Sequence, residues 1–189
     1  MLTRRTFTSL SLAALLTVSC GNLYPFTVLK QAAPNPLAGQ KKLGIAPISL
    51  DQLTVDGGDP ATYRPGGTHH DFTKRFSAAY EKELGDLLTQ SKIEPVVGAP
   101  SPAAPLWIRP RLLFIEAGMT LGAIYNEASE AKMEVDIIRP DGTVLDTISM
   151  KHATRNERDN IQAGEGLKKD GEDLAAQTVM YIYTRVNPN

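Results

Sequence analysis

Residues 131–150 constrain the fold more than any other stretch. Ala131 to Arg139 alternates, with Met133, Val135 and Ile137 apolar on one face, the period-two pattern of a half-buried strand. Pro140-Asp141-Gly142 then supplies a tight turn, because Pro presets φ, Asp bonds its own backbone and Gly accepts φ > 0. Thr143 to Met150 is set to pair back as a hairpin. A hairpin with one apolar face needs a second layer to cover it.

The rest of the chain supplies that layer. Leu43 to Ile48 alternates and reads as a first strand, with Pro47 marking its end or an edge. Phe72, Phe76, Tyr80, Leu84, Leu87 and Leu88 recur at helical spacing, and Asp71 or Thr73 is placed to cap that helix. Ile93 to Val97 is a short apolar strand, broken off by Pro100, Pro102 and Pro105. Leu106 to Ile115 is a longer strand. Pro110 within it predicts an edge position or a bulge, since proline cannot donate to a ladder. Residues 154–166 are polar and read as a loop. A last helix, about Leu167 to Arg185, puts Leu167, Leu174, Thr178, Tyr181 and Ile182 on one face, with Gly166 and Gly171 blurring its start. The order β-α-β-β-β-β-α predicts one parallel pair from a right-handed crossover and antiparallel pairing afterwards. The expected fold is α+β: a four- to five-stranded mixed, largely antiparallel sheet with two helices packed on one face.

Composition agrees with a folded domain. Of 189 residues, 42% are hydrophobic and 22% charged, which excludes a wholly disordered chain. That length can bury a core without staples. One cysteine forms no internal disulfide and no thiolate-cluster metal site. A net charge of −1 leaves no nucleic-acid footprint.

The first 20 residues, MLTRRTFTSLSLAALLTVSC, are an address. Arg4 and Arg5 make a basic start, and Phe7 to Val18 is an uncharged apolar run. A membrane-spanning helix needs about 20 apolar residues. A shorter run behind a basic start, with a small residue before the cut, predicts a secretory signal. Thr3-Arg4-Arg5-Thr6-Phe7 resembles the twin-arginine export signal, matching it at Arg4, Arg5 and Phe7. The resemblance implies export in a folded state. The plainer reading is a general secretory signal that carries two Arg. Leu16-Thr17-Val18-Ser19-Cys20 resembles a bacterial lipobox, with Thr17 where that pattern prefers Leu. Position favours lipidation too, since a free exported thiol is a liability. The resemblance implies cleavage before Cys20 and several acyl chains on it, palmitate among them. Two or more chains hold a protein stably on a membrane. Gly21, where an Asp would mark inner-membrane retention, implies the outer membrane facing the periplasm. The other reading is a secreted protein cut elsewhere. Loss of residues 1–19 leaves 18 basic against 21 acidic residues, a net charge of −3.

The expected organisation is a signal peptide over 1–19, a lipidated tether over 20–41 and a single domain over 42–187. Pro25, Pro34, Asn35, Pro36 and Gly39 give residues 21–42 a linker composition. About 20 extended residues would reach roughly 60–70 Å. Leu23 to Leu29 is more apolar than a plain spacer, which predicts partial docking on the domain or a place at the lipid surface.

Candidate chemistry gathers in residues 49–71, read as an unstructured loop carrying His69, His70 and four Asp. Structureless loops beyond about 12–15 residues are uncommon and often functional. His69, His70 and Asp71 are therefore the candidates for a metal or hydrolytic site. No H-E-x-x-H spacing occurs, and adjacent His on an extended chain point apart, so the plain reading is a solvated loop. Glu134 and Asp136 are paired carboxylates that read as the wet face of a strand. Gly118 to Tyr125 is apolar and uncharged. Met119, Leu121, Ile124 and Tyr125 would let a hairpin tip touch a partner or membrane, or fold over the open end of the core. His152, and Lys168-Lys169-Asp170, read as surface. Trp107 and Tyr63 would line a ligand groove or belong to the core. No G-x-S-x-G nucleophile and no phosphate loop occur, and no motif calls for a cofactor.

From Trp107 to Val186 the chain resembles small bacterial lipoproteins of unknown function with an α/β domain. The carriers are the strand Leu106–Phe114, the turn Gly118–Gly122, the strand Glu134–Ile138, Asp141-Gly142-Thr143-Val144-Leu145 and the final helix. More distantly it is similar to accessory lipoproteins of curli secretion and to activators of cell-wall synthases. With the signal, the lone Cys, the tether and the missing catalytic motif, the expected function is a non-enzymatic, membrane-anchored envelope subunit with an envelope protein as partner. Two other readings stand beside it: an anchored metal-binding or hydrolytic module using His69, His70 and Asp71, and a carrier of a small apolar ligand held between helices and sheet.

Overall fold

The computed structural model describes residues 24–118, 120–121, 125–126, 128–155 and 165–188. In chain order its elements are β1 (Phe26–Lys30), β2 (Lys42–Ile45), β3 (Thr54–Val55), a 3-10 turn (Pro60–Tyr63), α1 (His70–Gln90), β4 (Glu94–Val97), β5 (Trp107–Glu116), β6 (Thr120–Leu121), β7 (Tyr125–Asn126), β8 (Ser129–Ile138), β9 (Val144–Thr154) and α2 (Glu165–Val186). Seven strands form one sheet in the order β1-β9-β8-β5-β2-β4, with β3 beside β5, and β6 and β7 form a separate hairpin. The expected four- to five-stranded sheet is therefore corrected to seven. The two extra strands are β1, set among prolines, and β3, two residues long inside a segment read as loop. Neither is long enough for periodicity to separate it from a linker.

β2-α1-β4 makes a parallel pair running from Lys42 opposite Glu94 to Ile45 opposite Val97. β5, β8 and β9 pair antiparallel. Both helices cover one face. Phe76, Tyr80, Leu84 and Leu88 of α1 and Leu174 and Ile182 of α2 are buried against Ile108, Leu112, Met133, Val135 and Ile148. Gly171 explains how the helices come so close. A Cβ there would stand 2.7 Å from the Phe76 carbonyl oxygen, so the helix-propensity cost of glycine is offset by packing.

β5 lies inside the sheet, not at an edge. Gly44, Ala46 and Ser49 donate their N–H groups to the carbonyls of Leu106, Ile108 and Pro110. The N–H that Pro110 lacks would face the gap past Ile45, where β2 has ended. An interior strand tolerates proline at such a gap, and the register irregularity falls slightly later, between Leu112 and Phe114.

Residues 26–40 are built into the domain. β1 pairs with β9 from Phe26 opposite Met150 to Lys30 opposite Thr147. Asp146, fully buried, then holds the next stretch. Its carboxylate accepts from Tyr181 Oη at 2.6 Å, from the Ala32 N–H at 2.8 Å and from Arg185 Nε at 3.3 Å. Gly39 N–H donates to the Val186 carbonyl and Asn35 Nδ2 to that of Arg185, satisfying carbonyls that a helix end leaves open. Most of the stretch expected as tether is thus an edge strand and a helix cap. Arg4, Arg5, Phe7 and Cys20 lie outside the described residues, and three residues, 21–23, separate Cys20 from Tyr24.

Candidate functional site

The sheet face opposite the helices carries two grooves. Alternation puts Arg109 and Arg111 of β5, Glu134 and Asp136 of β8 and Thr147 of β9 side by side there. Asp136 is 2% exposed, so it is not the wet-face residue its spacing predicts. Arg109 Nη2 stands 2.8 Å from its Oδ2, Arg111 Nε 3.3 Å from the same oxygen, and Thr147 Oγ1 donates to Oδ1 at 2.8 Å. Glu134 takes the other side of Arg111 at 2.7 Å. A carboxylate so fully served by donors organises two cations and is poorly placed to accept a substrate proton. Ser49 and Asp51 border the shallow groove of about 480 Å³ beside this ladder.

A larger groove, about 620 Å³, opens on the same face at the β1 side, lined among others by Tyr24, Thr27, Phe114, Lys132, Ser149 and Lys151. Tyr24 stacks on Phe26 with ring centroids 5.2 Å apart, and Phe26 meets Tyr181 edge-on. Lys132 Nζ sits 4.4 Å from the centre of the Phe114 ring and 2.9 Å from Glu130. The groove thus combines aromatic walls with ammonium and hydroxyl groups, a surface with both apolar and polar character.

Residues 49–71 are more ordered than expected. Ser49 bridges Arg111, β3 pairs with β5, and Asp59 caps the 3-10 turn through the Ala61 N–H. α1 starts at His70, with His69 at the cap position and no side-chain cap bond. Thr73, a candidate cap, donates instead to the Tyr63 carbonyl at 2.6 Å. The His69 ring stacks on Phe72 at 5.4 Å and leans on Tyr63 at 5.2 Å, so it packs as an aromatic. Among the described residues, His69, His70 and Asp71 join no group of three donors able to hold a metal.

One polar cluster on the helix face escaped the sequence reading. Asp170, at the start of α2, is fully buried. It accepts from Ser129 Oγ and Thr154 Oγ1, each at 2.7 Å, and lies 2.8 Å from His152 Nδ1. The other imidazole nitrogen is 3.4 Å from Asp173. Burial pushes the Asp170 carboxyl above its ordinary range, while the Ser129, Thr154 and His152 contacts pull it back. Ser129 bonds the carboxylate and not the imidazole, so this is no nucleophile–base pair. It fastens α2 to the ends of β8 and β9. The signal was present in the sequence: Asp170 lies three residues after Leu167 and four before Leu174, on the apolar face of the helix.

Of the apolar tip, Met119 and Ile124 lie outside the described residues. Leu121 and Tyr125 stand opposite each other in the β6–β7 hairpin. Trp107 is core: its ring lies against Gly44 and its Nε1 donates to the Ser101 carbonyl at 2.8 Å. Tyr63 is buried as well. Among the described residues, no helix is long and apolar enough to cross a membrane.

No family model matches the chain, and no curated protein matches it. Among solved structures it is similar to the PelC dodecamer from Paraburkholderia phytofirmans, at 15% identity and a TM-score of 0.49, over 86% of this chain and 99% of that one. It is also similar to a Xanthomonas campestris protein of the DUF330 family model, at 11% identity and 0.48, over 84% and 94% of the two chains. A minor lipoprotein from Acinetobacter baumannii is similar at 15% identity and 0.44, over 76% and 93%.

Proposed function

We propose that this chain is a lipid-anchored accessory subunit of the bacterial cell envelope: exported by the twin-arginine route, cut before Cys20, acylated there, and held at the outer membrane, where it binds an envelope protein and performs no catalysis. The observation that carries the reading is the place of Cys20. It ends a basic-then-apolar signal and stands six residues before the first strand begins at Phe26. The polar groups support a binding role. Asp136, Asp146 and Asp170 are each engaged by several donors of the same domain. The module built on His69, His70 and Asp71 loses support because His69 is packed between Tyr63 and Phe72. The apolar carrier loses support because Phe76, Tyr80, Leu84 and Leu88 fill the space between α1 and the sheet.

Cell fractionation tests the anchor. The full chain should sediment with envelope membranes and need detergent for release, whereas Cys20→Ala should appear in the soluble periplasmic fraction. Equal solubility of both would remove the anchor from the account. Replacing Arg4 and Arg5 by Lys should leave precursor in the cytoplasm, and normal processing would point to the general secretory route. A photo-reactive residue at exposed Gln52, on the rim of the open face, should cross-link a discrete envelope protein in intact cells. Absence of any adduct there, with residues at other exposed sites equally silent, would count against a subunit role.

A further inference from the structure

The topology brings the point where the chain enters the domain to one end of the sheet. Glu116 of β5 pairs with Glu130 of β8, and Glu130 with Ala153 of β9, so these residues mark that end. β1 enters there too, because Phe26 stands opposite Met150. Tyr24, two residues earlier, is 49% exposed. The β6–β7 pair lies between β5 and β8 in the chain, at the same end. Lys132 and Lys151 border the groove that Tyr24 also lines. The turn at Arg139–Thr143 marks the other end, about ten strand residues or roughly 30 Å away.

We infer that the end bearing Tyr24, Ala153 and the β6–β7 hairpin rests on the phospholipid headgroup layer, with Tyr24 at the interface. The inference rests on the acylated Cys20 proposed above. From Cys20 to Tyr24 the chain spans four Cα steps, at most about 14 Å when extended. A leash that short fixes which end meets the bilayer, where the 60–70 Å tether expected from composition would have left it free. Tyrosine suits the position because its ring is apolar and its hydroxyl is wet. Glu130 is neutralised by Lys132. Lys151 is exposed and has no ion-pair partner among the described residues, so it can face lipid phosphate.

The test uses the full chain, processed in cells, purified in detergent and reconstituted into vesicles of phosphatidylethanolamine and phosphatidylglycerol. An environment-sensitive fluorophore is attached at Ala153→Cys or, separately, at Arg139→Cys. Both positions are exposed, and acylated Cys20 has no thiol to compete. Lipids carrying a quencher at headgroup depth should dim the label at 153 several-fold more than the label at 139. Tyr24→Ser should lower the quenching at 153 at a temperature where the variant is still folded by circular dichroism. Equal quenching at both sites, in protein that still floats with vesicles and carries the lipid mass, overturns the orientation and leaves the anchor standing. Protein that neither floats nor carries the lipid mass overturns both.

Discussion

At the scale of single residues, the buried carboxylate of Asp170 ties the stability of this domain to pH. Unfolded, Asp170 titrates at its ordinary value of 3.8; folded, burial raises it. Between the two values the folded state holds more protons, so the contribution of Asp170 to stability falls as pH rises through that window. Asp170→Asn keeps an acceptor and removes the charge. Its stability relative to the parent should therefore improve as pH climbs above 3.8, read from urea unfolding at several pH values. A difference constant across the window would contradict the assignment. Asp170→Ala should cost about 2–4 kcal/mol, since it orphans the hydroxyls of Ser129 and Thr154. Gly44 makes a steric prediction. A Cβ there would come within 2.1 Å of the Trp107 ring, so Gly44→Ala should lower stability by about 1–3 kcal/mol through overpacking. Its unfolding midpoint should shift with the m-value unchanged.

At the scale of elements, legibility followed local pattern. α1, α2, β2, β5, β8 and β9 each show a repeat that sequence can reveal, because burial of one face imposes it, and β4 shows as a short apolar run broken off by prolines. β1 does not. Its pairing is decided by β9, more than a hundred residues later, and the stretch that follows it is held at Ala32 by Asp146 and Arg185. Asp136 and Asp170 were misread for a related reason. Charge alone suggests solvent, while cross-strand arginines and hydroxyls from other strands make burial tolerable. A spacer residue and a sheet residue respond differently to truncation. Phe26→Ala should cost about 3 kcal/mol or more as a core deletion. A change below about 0.5 kcal/mol, typical of an exposed position, would return residues 26–30 to the tether.

At the scale of the whole molecule, these pieces set an orientation. The chain enters at the β6–β7 end, runs down β1, passes Asp146 and the last turn of α2 through residues 31–40 and starts β2 at the far end. The helices cover one face, and the arginine–carboxylate ladder and the groove occupy the other. The proposed anchoring in the envelope depends on Cys20. The most direct measurement is the intact mass of the full-length gene product extracted from membranes, beside its Cys20→Ala variant. Lipidation at Cys20 predicts a chain beginning at residue 20 with a diacyl- or triacylglyceryl increment that the variant lacks. An unmodified chain, cut at another position and soluble in both forms, would contradict it.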